Sequence, residues 1–98
     1  MKKKGNMDIL YKDGGISYSI SDIQKSVQSD MVAKYKSLRK NQRVTQVKLA
    51  EVTGIPQPNI TRFESSESNP TLEMLVKMAA ALGNKVVINF EPMDSASN

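Results

Sequence analysis

Gln57, Pro58, Asn59, Thr61 and Arg62 lie in one short stretch and carry the side chains that read the edges of nucleic-acid bases most selectively. A glutamine or asparagine amide can bond adenine through a donor and an acceptor at once, an arginine can bond guanine through two donors, and a proline ring or threonine methyl can pack on a thymine methyl. On a helix, Ile60 and Phe63 point to one side and Pro58, Thr61, Arg62 and Ser65 to the other, with Gln57 joining the outward set at the N-terminal end. Asn59 stands at the boundary, within reach of a base or a phosphate. The chemistry available here is hydrogen-bonded recognition in a major groove, where each good bidentate pair discriminates by roughly 1–3 kcal/mol. A second set, Arg39, Lys40, Arg43, Gln46, Lys48 and Ser65, suits phosphates. Gln46 opens a helix whose N–H groups and dipole favour an anion. Phosphate contacts fix register without carrying sequence information, so the two sets have separate roles. Glu64 leans toward the core edge, where it serves as a structural partner for a backbone N–H or a cation.

Charge placement supports the same use. The 98-residue chain has a net charge of +4, which many proteins share without touching nucleic acid. Between Lys34 and Arg62, however, seven cations (Lys34, Lys36, Arg39, Lys40, Arg43, Lys48 and Arg62) face the single carboxylate of Glu51. A charge run standing alone is more often a solvated helix face. One flanking a helix pair is where phosphate neutralisation would supply affinity for DNA. There is no cysteine and no histidine, which removes cysteine nucleophiles, histidine triads, Cys/His zinc sites and a disulfide framework. The carboxylates are scattered, no glycine-rich phosphate loop occurs and no serine has a plausible base, so no enzyme, cofactor or metal site is expected. Lys2, Lys3 and Lys4 resemble the start of an export signal, but Gly5-Asn6-Met7-Asp8 follows in place of an apolar run. No stretch could cross a bilayer. A cytoplasmic protein with no membrane partner is expected.

These side chains need elements to hold them. Ile9-Leu10-Tyr11 and the alternating Ile16-Ser17-Tyr18-Ser19-Ile20 bracket Gly14-Gly15, as either a β-hairpin or an irregular arm that orders on a partner. Ser21-Asp22-Ile23-Gln24 fits a capping box. It predicts a long helix to about residue 41, burying Ile23, Val27, Met31, Val32, Tyr35 and Leu38 at three- and four-residue spacing. A second helix over 46–53, capped by Thr45, buries Leu49, Ala50 and Val52 and ends at Gly54. A third covers about 57–65, with Pro56 and Pro58 fixing its start. Asn69-Pro70-Thr71 begins a fourth, which lines one face with Leu72, Leu75, Val76, Ala79 and Leu82 and closes at Gly83. Val86-Val87-Ile88-Asn89-Phe90 reads as a strand in need of a neighbour: the hairpin, its own copy across a two-fold axis, or another protein. The expected organisation is an N-terminal arm or hairpin (1–20), a four-to-five-helix domain (21–83), a C-terminal dimerisation strand using Val86, Val87, Ile88 and Phe90 (84–92), and a flexible tail (93–98).

Leu38-Arg39, Thr45-Gln46, Leu49-Ala50, Gly54-Ile55, Gln57, Ile60, Phe63-Glu64, Asn69-Pro70-Thr71 and Ala79 to Gly83, in that order, closely resemble the Xre/Cro-like helix-turn-helix family of phage and bacterial repressors. The resemblance covers about half the chain and implies a mainly α, lambda-repressor-like DNA-binding domain. Within that family the long first helix, N-terminal extension and strand after the last helix look like the HigA-type antitoxins. That likeness implies a homodimer that represses its own operon at a double-stranded operator and neutralises a RelE-like ribosome-dependent ribonuclease toxin. The arm over 7–20, outside the reading unit, is the first candidate for the toxin-facing surface. Two departures stand out. Pro56 replaces the usual Ser or Thr cap, a bond worth about 1 kcal/mol, and Ser65-Ser66 replaces the usual residue-plus-glycine, so the third helix must end by another route.

Two other functions fit the same residues. One is a stand-alone Xre-family regulator without a toxin; the other is a protein-binding toxin inhibitor whose DNA binding is secondary. The bare alternative is a helical hairpin that only packs, and the cation cluster weighs against it.

Overall fold

The computed structural model describes residues 9–13 and 16–92. The expected tail and parts of the expected arm lie outside the described residues. In chain order the elements are β1 (Ile9–Asp13), β2 (Ile16–Ser19), α1 (Ile20–Asn41), α2 (Gln46–Thr53), α3 (Gln57–Glu64) and α4 (Leu72–Ala81). Four helices carry a mainly helical fold. The chain divides into two units, one holding β1, β2, α1 as far as Val27 and the segment from Ile88, the other spanning residues 28–87.

In the first unit β1 and β2 pair antiparallel, with Tyr11 opposite Tyr18, Asp13 opposite Ile16, and an irregularity between Ile9 and Tyr11. The cap of α1 is Ser19, not Ser21: the Ser19 Oγ accepts the Asp22 N–H at 3.4 Å. The first helical turn therefore follows β2 directly.

The expected C-terminal strand is not present. Residues 84–92 take no regular structure, and among the described residues the sheet contains β1 and β2 alone. β-branched residues favour an extended backbone, but a strand exists only when its N–H and C=O groups find a ladder partner.

The second unit is built on short helices whose ends are closed locally. Thr45 caps α2 by accepting the Lys48 N–H at 3.0 Å. Gly54, at φ 77°, ends it by donating to the Ala50 carbonyl. Thr53 Oγ1 donates to the Leu49 carbonyl at 2.7 Å and accepts the Ile55 N–H at 3.1 Å, which turns Ile55 into the core. At α3, Pro56 has no capping side chain, but its carbonyl accepts the N–H groups of Asn59 and Ile60 at 2.9 and 3.3 Å. The missing glycine after Glu64 is replaced by Ser66 itself in the left-handed region, at φ 61°, where Glu67 N–H reaches the Arg62 carbonyl at 2.8 Å. Arg43, at φ 60°, closes α1 in the same way. Thr71 caps α4 by accepting the Met74 N–H at 3.0 Å.

Val32, Leu49, Ile55, Ile60, Phe63 and Met78 form the core, with Met31, Tyr35, Val44, Ala50, Met74, Leu75 and Ala81 packed around it. Tyr35 crosses this core edge-on to Phe63, the ring centroids 5.7 Å apart at 79°, and its hydroxyl donates to the Met78 carbonyl at 2.9 Å. Burial pushes the Tyr35 phenol above its usual range, with the Glu64 charge adding to the rise. Gln42 Nε2 bonds the Leu82 carbonyl at 2.9 Å, a second tie that joins the residues just after α1 and α4. Four valines and leucines expected inside are exposed: Val27, Val52, Leu72 and Val76. Glu73 and Lys77, paired four residues apart, mark the solvent side of α4; Met78 lies on the side away from them and is fully buried, while Leu72 and Val76 flank that side and are exposed. α2 is only eight residues long and turns Leu49 and Ala50 inward, leaving Val52 in solvent.

Candidate nucleic-acid interface

α3 is anchored by Ile60 and Phe63, both fully buried. With that side fixed, Gln57, Pro58, Thr61 and Arg62 are exposed on the other side and Asn59 is half-buried at the boundary. The five residues expected to face bases thus share one rigidly seated element. Arg62 and Asn59 are one helical step apart, and Arg62 Nη2 donates to Asn59 Oδ1. This bond takes up the Asn59 carbonyl and one nitrogen of the Arg62 guanidinium, and the Asn59 amide nitrogen has no part in it. Ser65 is exposed at the C-terminal end of the helix, its hydroxyl donating to the Arg62 carbonyl at 3.1 Å.

Lys40, Arg43 and Lys48, expected to hold phosphates, are exposed. The pair between Lys48 and Glu51, 3.7 Å apart, has both side chains mostly in solvent, so it constrains Lys48 little. Gln46 is half-buried at the first position of α2, beside N–H groups that an α-helix leaves without internal partners.

Arg39 does not belong with these cations. Its side chain is 9% exposed and Glu64 is 4% exposed. Arg39 Nε and Nη2 each donate to a separate Glu64 oxygen at 2.7 Å, and Nη1 donates to the Val44 carbonyl at 2.7 Å. Its expected contact with a phosphate is therefore corrected: the guanidinium faces inward and its fork is filled. The signal is present in the sequence, because Arg39 lies four residues after Tyr35 and seven after Val32, on the buried stripe. Burial alone would push the Glu64 carboxyl up. The hydrogen bonds from Arg39 and Gln46, with the charges of Arg39 and Lys36, outweigh it and hold the carboxyl below its usual range. The bond to Glu64 likewise outweighs the desolvation of Arg39 and firms its protonation.

Gln46 has a further connection that residue spacing does not show. Its Nε2 donates to Glu64 Oε1 at 3.0 Å while its Oε1 accepts from Thr61 Oγ1 at 2.8 Å. The start of α2, the buried pair and the exposed face of α3 are joined through one amide.

Among the described residues no cluster of acidic side chains could hold a metal, and no helix is long and apolar enough to cross a membrane. The described residues include a polar, hydrogen-bonding helix face and several exposed cations, which is equipment for binding a polyanion with readable edges.

Comparison with known proteins agrees with this geometry. The chain is 40% identical over 45 residues to an uncharacterized HTH-type transcriptional regulator of Haemophilus influenzae, a stretch covering 46% of each chain, so it spans about half the length of the curated relative it matches. Its structure is similar to a chain of a toxin-antitoxin module from Streptococcus pneumoniae, with a TM-score of 0.59 and 27% identity, over 76% of this chain and 83% of that one. Residues 36–87 match the helix-turn-helix family HTH_3. That segment runs from the last turns of α1 through α4 and holds both the α3 face and the buried Arg39–Glu64 pair beneath it; the chain belongs to the helix-turn-helix family.

Proposed function

We propose that this chain is a sequence-specific transcriptional repressor that binds a double-stranded operator as a homodimer, and that it is the antitoxin of a HigBA-like pair, neutralising a RelE-like toxin. It acts without catalysis and in the cytoplasm. The observation that carries the DNA-binding part is the two-sidedness of α3, with Ile60 and Phe63 sealed in the core and Gln57, Pro58, Thr61 and Arg62 in solvent. The toxin-antitoxin neighbour supports the antitoxin part. A stand-alone regulator is the second reading, favoured by the relative from Haemophilus influenzae. Co-expression with the adjacent reading frame followed by pull-down separates the two: capture of a small toxic partner supports the antitoxin, and no capture favours the plain regulator.

In the complex α3 lies in the major groove. Gln57 and Arg62 make bidentate base contacts, Pro58 and Thr61 offer apolar and hydroxyl contacts, and Asn59 donates from the helix edge. Lys40, Arg43, Lys48, Gln46 and Ser65 hold phosphates and set the register. Gln57→Ala and Arg62→Ala are each expected to cost roughly 1–3 kcal/mol on the operator while leaving binding to random DNA nearly intact. Lys40→Ala and Arg43→Ala are expected to weaken both kinds of DNA alike and to make the slope of log K against log salt shallower, by about 0.9 for each phosphate no longer neutralised. Titrations at several salt concentrations measure both effects, and an unchanged slope contradicts the phosphate assignment.

Phe90 is 96% exposed, and Val87 and Ile88 are also largely in solvent. In the proposed dimer this segment gains its ladder partner from the same segment of a second copy. Deleting residues 86–98 is expected to give a monomer by light scattering, with much poorer operator affinity. A truncated chain that remains dimeric refutes this role for Val86, Val87, Ile88 and Phe90.

A further inference from the structure

A line of hydrogen bonds leads from the core to the outer face of α3. Arg39 fills both oxygens of Glu64, Gln46 Nε2 donates to Glu64 Oε1, and Thr61 Oγ1 bonds Gln46 Oε1. The direction of every proton in this line is forced. An ionised carboxylate only accepts, so the end of Gln46 that meets it must be the NH2. The other end must then be the carbonyl, which has lone pairs and no proton. The hydroxyl of Thr61 must therefore donate to it, and a hydroxyl has one proton to give. Thr61 is exposed, yet the part of its oxygen left for a ligand consists of lone pairs only. The low protonation range of Glu64 keeps this polarity in place at neutral pH.

We infer that Thr61 is a specificity-determining acceptor, and that Gln46 is the positioning residue that makes it one: at the base it faces, Thr61 selects an exocyclic amino group, adenine N6 or cytosine N4, and rejects guanine O6 and thymine O4. This rests on the DNA-reading function proposed above. In the major groove the amino groups of adenine and cytosine donate, while O6 and O4 accept. A threonine free to rotate its hydroxyl would satisfy either kind of edge. Held by Gln46, it presents lone pairs to O6 or O4 and is repelled. Discrimination is expected at about fivefold to tenfold, the low end of what a bidentate pair gives. Gln46 remains able to contact a phosphate, because its amide nitrogen carries a second proton.

The test is selection of bound duplexes from a random pool by the full chain, followed by sequencing, for the unaltered protein and for Thr61→Val, Thr61→Ser and Gln46→Met. The unaltered chain is expected to show one half-site position where A or C exceeds G or T on one strand. Thr61→Ser keeps that preference, Thr61→Val loses it, and Gln46→Met frees the hydroxyl proton so that G and T are accepted there. If Gln46→Met does not fold, a selected duplex with purine in place of adenine at that position removes the N6 amino group alone. The unaltered chain should then bind it about fivefold to tenfold more weakly and Thr61→Val should not distinguish it from adenine. A preference that survives Gln46→Met, or a Thr61-dependent position that favours G or T, overturns this inference and leaves DNA reading intact. Failure of the unaltered chain to enrich any sequence overturns both.

Discussion

Arg39→Met should destabilise the protein by about 3–5 kcal/mol, because it removes one member of a buried ion pair and leaves the Glu64 carboxylate in the core with its charge uncompensated. A domain of this size has roughly 5–15 kcal/mol of stability in total, so the loss is a large share of it. The geometry makes the pair an all-or-nothing unit. Arg39 gives two donors to the two oxygens of Glu64 and a third to the Val44 carbonyl, so removing it takes three donors away at once and leaves the carboxylate with the Gln46 amide alone. Replacing both charges, in Arg39→Met with Glu64→Leu, should recover part of the stability, since buried pairs often do little better than apolar residues of similar volume. Urea titration of the two single variants and the double variant gives the coupling. A single-variant loss under about 1 kcal/mol would mean that the pair behaves as an exposed one. Glu64→Gln keeps the shape and removes the charge, so it remains measurable if Arg39→Met does not fold.

The same pair sets an acid limit. Glu64 is held below its usual value of 4.5 in the folded protein, so it binds a proton less readily folded than unfolded. Its contribution is fully present above that value and is lost as the pH falls through the folded value. Thermal unfolding of Glu64→Gln followed from neutral pH down to about pH 3 should therefore fall less steeply with pH than that of the unaltered chain.

The helix-turn-helix unit is legible because its signals are local. Thr45 and Gly54 bound α2 by cap chemistry that depends on a few neighbouring residues, and the alternation of Ile60 and Phe63 with polar positions assigns the two sides of α3. The differences between expectation and fold have physical causes. In α4 the paired Glu73 and Lys77 mark the outer side, and Met78, across from them, takes the central position in place of Leu72 and Val76 at the edges of the apolar side. Arg39 reads as a surface cation by its charge, while its spacing from Val32 and Tyr35 places it inside. Val86 to Phe90 has strand composition, but pairing is a property of two segments and composition describes one. The Gln46–Thr61 bond joins residues fifteen apart in sequence and depends on how α2 crosses α3, which no local pattern encodes.

Phe63→Ala is expected to cost about 3–5 kcal/mol in stability and, unlike a surface change, to impair operator binding as well. Phe63 is fully buried among Leu49, Ile60 and Met78, and its ring meets Tyr35 edge-on, a contact worth about 0.5–1.5 kcal/mol beyond area burial. α3 has eight residues, too few to be helical by itself, so its orientation is set by what Ile60 and Phe63 hold. Truncating Phe63 removes the anchor directly behind Thr61 and Arg62. Phe63→Leu, which retains most of the volume, should cost less than half as much and keep operator specificity. Thr61→Val should leave stability within about 0.5 kcal/mol, as surface substitutions usually do, and change base preference alone. Urea titration paired with operator and random-DNA binding separates these cases: Phe63→Ala moves stability and operator affinity together, and Thr61→Val moves only specificity. A Phe63→Ala protein that keeps full operator discrimination would show that α3 holds its reading geometry without the core beneath it, and the link between burial on one side of the helix and recognition on the other would fail.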